Sequence, residues 1–99
     1  MKQGPQVVQK DDLMRRVASI VKAKRDKQSL TQAQLAQAAN ISRTSVAFIE
    51  GAKQECGLET FVNLALALGT EPHKLLEEVW RPADVQDAFA LKVLKEARR

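Results

Sequence analysis

The chain has 99 residues, the size of one domain, with 44% hydrophobic and 28% charged residues, which excludes a disordered chain. Its net charge of +4 is uneven: residues 1–58 hold ten Lys/Arg against five Asp/Glu, and this asymmetry points to a polyanionic partner. The longest apolar run, Leu64 to Leu68, is too short to span a bilayer, the polar start lacks a secretory core, and the single Cys56 fits a reducing compartment, so membrane proteins, disulfide scaffolds and large multidomain enzymes are excluded.

Met1 to Lys10 has no periodicity, so residues 1–10 read as a flexible arm before a domain over residues 11–80. Asp11 and Asp12 supply cap and first-turn acids for a first helix. Leu13, Val17, Ile20 and Val21 recur along it at the spacing of one buried stripe. The helix fades around Arg25 to Lys27, and Gln28-Ser29 make the connection. Thr31 and Gln34 have the spacing of a reciprocal capping box, which predicts a second helix over Gln32 to Ala39 with Leu35, Ala36 and Ala39 on one side. Asn40 tolerates the left-handed conformation that ends a helix. Ser42 caps again, and Arg43 to Glu50 forms a third helix. Gly51 to Gly57 is a loop, and Leu58 to Leu68 is a fourth helix closed by Gly69. Pro72, with Thr70 or Glu71 as cap, opens a brief fifth helix that holds Leu75, Leu76 and Val79 and ends near Trp80. Pro82 opens a sixth, with Asp84 in its first turn, that runs to about Ala97. No stretch reads as a strand, and the expected fold class is all-α.

The most specific feature is the pair of short helices across a tight turn, Thr31 to Gly51. Ala36 is small where the two would cross, and Leu35, Ala39, Ile41, Val46 and Ile49 supply apolar contacts. Advancing about 100° per residue from Val46 keeps Ile49 and Glu50 on the inner side. Thr44, Ala47 and Phe48 fall opposite, with Arg43 at the edge. Such a face enters a major groove without obstruction, whereas a helix needing only solubility would carry Glu and Lys there. Arg43 can donate two hydrogen bonds to guanine O6 and N7, worth about 1–3 kcal/mol of base discrimination, or it can hold a phosphate. Thr44 can bond a base edge, and Ala47 with Phe48 can pack on thymine methyls. Phe48 can equally fill a crevice in the protein or an inter-subunit contact. Arg25 extends the buried stripe of the first helix, and Glu50 follows Val46 inward on the third. An unpaired buried charge costs several kcal/mol, so Arg25 and Glu50 are expected to form a structural ion pair.

The strings LTQAQLAQAANISRTSVAFIEGAKQ and LETFVNLALALGTEPHKLL resemble the Cro and lambda-repressor-like (XRE-family) helix-turn-helix regulators, over roughly residues 13 to 76. The resemblance implies a five-helix DNA-binding domain, here with an additional C-terminal helix. It implies a phosphate anchored at Gln32, where free N–H groups and the helix dipole favour an anion. It also matches Arg25 and Glu50 to an ion pair of the family. Ser42, Ser45 and Lys53 are further candidate phosphate contacts, each equally readable as a solvated polar residue or a cap. Three departures stand out: Asn40 replaces a turn glycine, Gly51 precedes Ala52 where the family has one residue and then glycine, and Glu55 is acidic in the following loop.

In the sixth helix Val85, Ala88, Phe89, Val93 and Ala97 form a stripe that Leu91 and Leu94 widen. With Trp80 before it, this is more apolar surface than one peripheral helix needs. Residues 81–99 are therefore expected to dimerise the chain through Trp80, Val85, Phe89 and Val93, joined by Val62 and Leu66. The alternative is a helix folded back onto its own domain. A dimer would set two reading helices one DNA turn apart on a near-palindromic operator. One His73 and one Cys56, far apart, with no phosphate-cradling glycine loop, point away from an enzyme, a cofactor or a metal. The leading expectation is a dimeric, autoregulatory repressor binding double-stranded DNA in a bacterial cytoplasm, bacterial or phage-encoded. The alternatives are an antitoxin that also binds a toxin, a restriction–modification controller, or a protein-bridging adaptor. A neighbouring toxin gene would favour the antitoxin, and binding insensitive to salt the adaptor.

Overall fold

The computed structural model describes residues 8–80, which form α1 (Lys10–Lys27), α2 (Gln32–Ala39), α3 (Arg43–Glu50), α4 (Leu58–Ala67) and α5 (Pro72–Val79). Strands are absent among the described residues, and no helix there is long and apolar enough to cross a membrane. The expected sixth helix, with Val85, Phe89 and Val93, lies outside the described residues.

Each helix starts where local chemistry permits. α1 begins at Lys10, one residue before the acids: Gln9 takes the cap position without a side-chain bond, and Asp11 and Asp12 occupy the first turn. They still face the positive end of the dipole, while Lys24, Arg25 and Lys27 sit at the negative end. At α2 the reciprocal box is complete: Thr31 Oγ1 accepts from the Gln34 N–H at 3.0 Å, and Gln34 Oε1 accepts from the Thr31 N–H at 2.8 Å. Glu71 precedes Pro72 at α5.

The helix ends follow one device. Ser29, Asn40, Ala52 and Gly69 close α1 to α4 with φ of +59°, +59°, +56° and +77°. After α3 the Lys53 N–H donates to Phe48 O at 2.8 Å and the Ala52 N–H to Ile49 O at 3.1 Å, the paired bonds of a Schellman cap. The same pattern closes α1, through Leu30 to Arg25 O and Ser29 to Asp26 O. Only one of these four positions is a glycine, so three side chains accept a conformation that glycine adopts freely.

The core gathers Val17 and Val21 of α1, Leu35, Ala36 and Ala39 of α2, Val46 and Ile49 of α3, then Phe61, Leu64, Leu75 and Val79. α2 packs on α3 and α4, while α1 packs on α3, so the α2–α3 pair is held from behind by α1 and α4, which α5 joins to each other. Leu13 departs from the expected stripe. It is 38% exposed because it borders an open cavity between α1, α4 and α5. Lys24 ties α1 to Glu78 of α5 at 2.9 Å, and Gln28 Nε2 donates to Leu68 O at 2.7 Å.

Candidate nucleic-acid interface

Behind α3 lies a closed polar cluster. Arg25 Nε donates to Glu50 Oε2 at 2.6 Å and Nη2 to Oε1 at 2.9 Å, while Nη1 donates to Leu30 O at 2.7 Å. The two side chains are 11% and 3% exposed, so the bidentate pair is shielded from water. Burial pushes the Glu50 carboxyl up. Hydrogen bonds from Arg25 and Gln32, with the charges of Arg25 and Lys22, outweigh that and hold it below its ordinary value. The hydrogen bond to Glu50 leads in holding the Arg25 guanidinium above its ordinary value.

The opposite face of α3 is open. Arg43 and Thr44 are exposed, Phe48 is 46% exposed, and Ala47 is half-buried. The buried Val46 and Ile49 fix this orientation, since turning α3 would pull both from the core. Phe48 does not fill a crevice among the described residues. Gln32, at the first position of α2, is half-buried, with its amide between α3's two ends: Nε2 donates to Glu50 Oε1 at 3.1 Å, and Oε1 accepts from Arg43 Nη1 at 3.5 Å. The sequence named Gln32, Arg43 and Glu50 separately but carried no sign that one amide joins them.

The candidate phosphate contacts divide. Ser42 Oγ accepts from the Ser45 N–H and donates to Ser45 Oγ, both at 3.0 Å, so these hydroxyls cap α3. Lys53 is exposed, and the Schellman cap fixes its backbone despite the Gly51-Ala52 order. Glu55 lies against Lys10 at 3.5 Å, both well exposed.

The α4–α5 side differs in kind. Leu58, Leu66 and Leu76 are exposed, and a cavity of about 360 Å³ opens between α1, α4 and α5, lined by Leu13, Phe61, Val62, Pro72, Leu76 and Val79 among others. Cys56 borders it, and burial pushes its thiol up to about 11. Trp80 is half-buried, with the Arg16 guanidinium 5.5 Å from its ring centroid. His73 lies 3.5 Å from Glu71, both exposed.

Residues 21–75, more than half of the chain, match the family described as Helix-turn-helix (HTH_3), and the chain belongs to it. It is of the Cro/lambda-repressor-like type, a class of DNA-binding transcription regulators. Among curated proteins none matches. Three solved structures are similar. A mutant of the restriction–modification controller protein C.Esp1396I is 22% identical with a TM-score of 0.64, covering 68% of this chain and 87% of that one. The clp gene regulator ClgR from Corynebacterium glutamicum is 22% identical with a TM-score of 0.65, covering 75% and 96%. The DNA-binding domain of the P22 C2 repressor is 27% identical with a TM-score of 0.58, covering 61% and 79%.

Proposed function

We propose that the chain is a sequence-specific regulator that reads double-stranded DNA in the major groove with residues 42–50, as a dimeric repressor of its own gene. The observation that carries this is the division of α3: Val46 and Ile49 are buried, while Arg43, Thr44 and Phe48 stand outward. Arg43 takes guanine O6 and N7, and Thr44, Ala47 and Phe48 meet neighbouring base edges and methyls. Lys53 and the first N–H groups of α2 at Gln32 hold phosphates and set the register, with Ser42 and Ser45 supporting through the cap. Arg25 and Glu50 keep the two short helices in place and read nothing.

A second copy covers the exposed leucines of α4 and α5, with Trp80, Val85, Phe89 and Val93 contributing. Leu58, Leu66 and Leu76 give this surface an exposed aliphatic character of the kind that proteins bury against each other. The protein works in the cytoplasm, without cofactor or catalysis.

A salt-titrated gel shift and footprint on DNA upstream of its own gene test the reading. The expected result is a footprint whose log affinity falls linearly with log salt, with a slope of about −0.9 per phosphate contacted. Arg43→Ala is expected to weaken the footprint and relax its sequence preference by about 1–3 kcal/mol, with folding intact. Binding that ignores salt, or that survives Arg43→Ala with its sequence preference unchanged, overturns it.

A further inference from the structure

α1 and the end of α5 enclose an open groove of about 610 Å³, lined by Asp12, Arg15, Arg16 and Ile20 of the one and by Glu78 and Val79 of the other. Arg16 fixes where the chain leaves the domain: Nη1 donates to Val79 O at 3.3 Å, and the guanidinium lies 5.5 Å from the Trp80 ring centroid. Val79 borders both this groove and the apolar cavity on its other flank, so the contact with Trp80 draws the exit toward the charged side. The two acids of the groove are each answered, Asp12 by a hydrogen bond from Arg15 and Glu78 by Lys24 at 2.9 Å. A guanidinium carries five N–H donors, so Arg16 can hold a carboxylate together with the Val79 carbonyl.

We propose that this groove seats the start of the chain's own 81–99 segment, with the Asp84 and Asp87 carboxylates against Arg15 and Arg16, and that the seat turns Val85, Phe89 and Val93 toward the second copy. The orienting role rests on the dimer proposed above; the seat does not. Asp84 lies four residues past Trp80, within about 14 Å of it even when the chain is fully extended. So short a tether keeps the segment at high effective concentration beside its own groove, ahead of the same segment from another molecule. At helical spacing Asp87 falls about 60° from Asp84, with Leu91 between them. Val85, Phe89 and Val93 fall on the opposite side. Carboxylates directed at α1 therefore leave the apolar stripe pointing away from the domain, where a second copy can meet it.

The test uses the full chain and follows amide hydrogen exchange in residues 83–91. Wild type is compared with the double change Asp84→Asn and Asp87→Asn, and with Arg16→Gln, which keeps a donor for the Val79 carbonyl. Each is expected to lower protection of the segment about fivefold, the effect of one or two partly exposed ion pairs, while exchange in α2 and α3 stands. The asparagines lie beyond the five helices, so the test survives even if Arg16→Gln loosens α5. Wild-type protection is expected to persist on dilution to the monomer, because groove and segment belong to one chain. In sedimentation equilibrium the double asparagine variant is expected to self-associate about threefold more weakly, because an unseated segment must be ordered on association. If the segment of the wild type is unprotected, if its protection falls with dilution, or if it ignores both the asparagines and Arg16→Gln, the seat is wrong; loss on dilution would give the groove to the second copy's segment. If protection falls as expected while association is unchanged, the seat stands and the orienting role is wrong. If the wild type is monomeric throughout while protection behaves as expected, the seat stands and the dimer reading fails.

Discussion

The outer face of α3 and the outer face of the α4–α5 pair are both open to solvent, and they are built from opposite chemistry. α3 presents a guanidinium, a hydroxyl, a small alanine and one aromatic ring, while α4 and α5 present Leu58, Leu66 and Leu76. Duplex edges offer hydrogen-bond acceptors and methyls, which the first face answers with donors and apolar contact. Aliphatic side chains give phosphates nothing, so the second face suits a protein partner. On the function proposed here, the domain assigns nucleic acid to one helix and a copy of itself to two others, with the Arg25–Glu50 pair buried behind the first.

The largest effect separates that pair from the face in front of it. Glu50→Ala leaves the buried Arg25 guanidinium with only Leu30 O and the exposed Asp26 carboxylate at 3.3 Å, and is expected to cost about 3 kcal/mol in urea denaturation. A loss below 1 kcal/mol would show that water already reaches the pair. The acid limb follows from the same group. The folded Glu50 carboxyl titrates below its ordinary 4.5, so on acidification the unfolded chain takes up the proton first. The contribution is full above about pH 4.5 and is lost as pH falls through the folded value beneath it. Wild-type stability should therefore fall in that window, and Glu50→Gln should show a shallower slope when the two are denatured in parallel.

The two faces themselves are separated by substitutions that leave the core alone. Arg43→Ala is expected to lose about 1–3 kcal/mol of base discrimination with stability unchanged within about 0.5 kcal/mol. Leu76→Glu, at a position already 53% exposed, is expected to leave folding and the reading preference intact. It should weaken self-association about tenfold, or about 1.4 kcal/mol, in sedimentation equilibrium. Should Leu76→Glu weaken DNA binding with no change in association, the division between the faces is drawn in the wrong place.

Much of this arrangement was legible before any coordinates. Thr31 and Gln34 announce the start of α2 because both halves of the box are local, and Val46 with Ile49 sets the rotation of α3 because helical periodicity is local too. Arg25 and Glu50 could be matched at a distance because each charge interrupts an apolar stripe. The contacts of Gln32 could not, since they depend on how closely α2's start approaches both ends of α3. The exposure of Leu13 was hidden for a related reason: a stripe tells which side of a helix turns inward, not where the neighbouring helices leave a cavity open. Ser29 and Ala52 were missed as helix terminators because neither residue type favours a left-handed backbone.

Ala52 yields the smallest effect and the cleanest comparison. Its φ of +56° crowds the Cβ against the backbone, at a cost of about 1–2 kcal/mol, which glycine would not bear. A glycine there also frees the unfolded chain, which takes back about 0.4–1 kcal/mol. Ala52→Gly should therefore stabilise the fold by about 0.5–1 kcal/mol in chemical denaturation. Gly69 closes α4 with φ +77°, and a Cβ there would meet nothing within 4 Å, so Gly69→Ala should destabilise by a similar amount through backbone strain alone. Gly51 is a different case: at φ −89° its backbone suits any residue, but an added Cβ would come within 3.3 Å of Ala47 O. The double change Gly51→Ala with Ala52→Gly should accordingly gain less than Ala52→Gly alone. If Ala52→Gly is neutral while Gly69→Ala costs its expected amount, contacts of the Ala52 methyl with the end of the reading helix must offset its strain, and the alanine is there to steady α3.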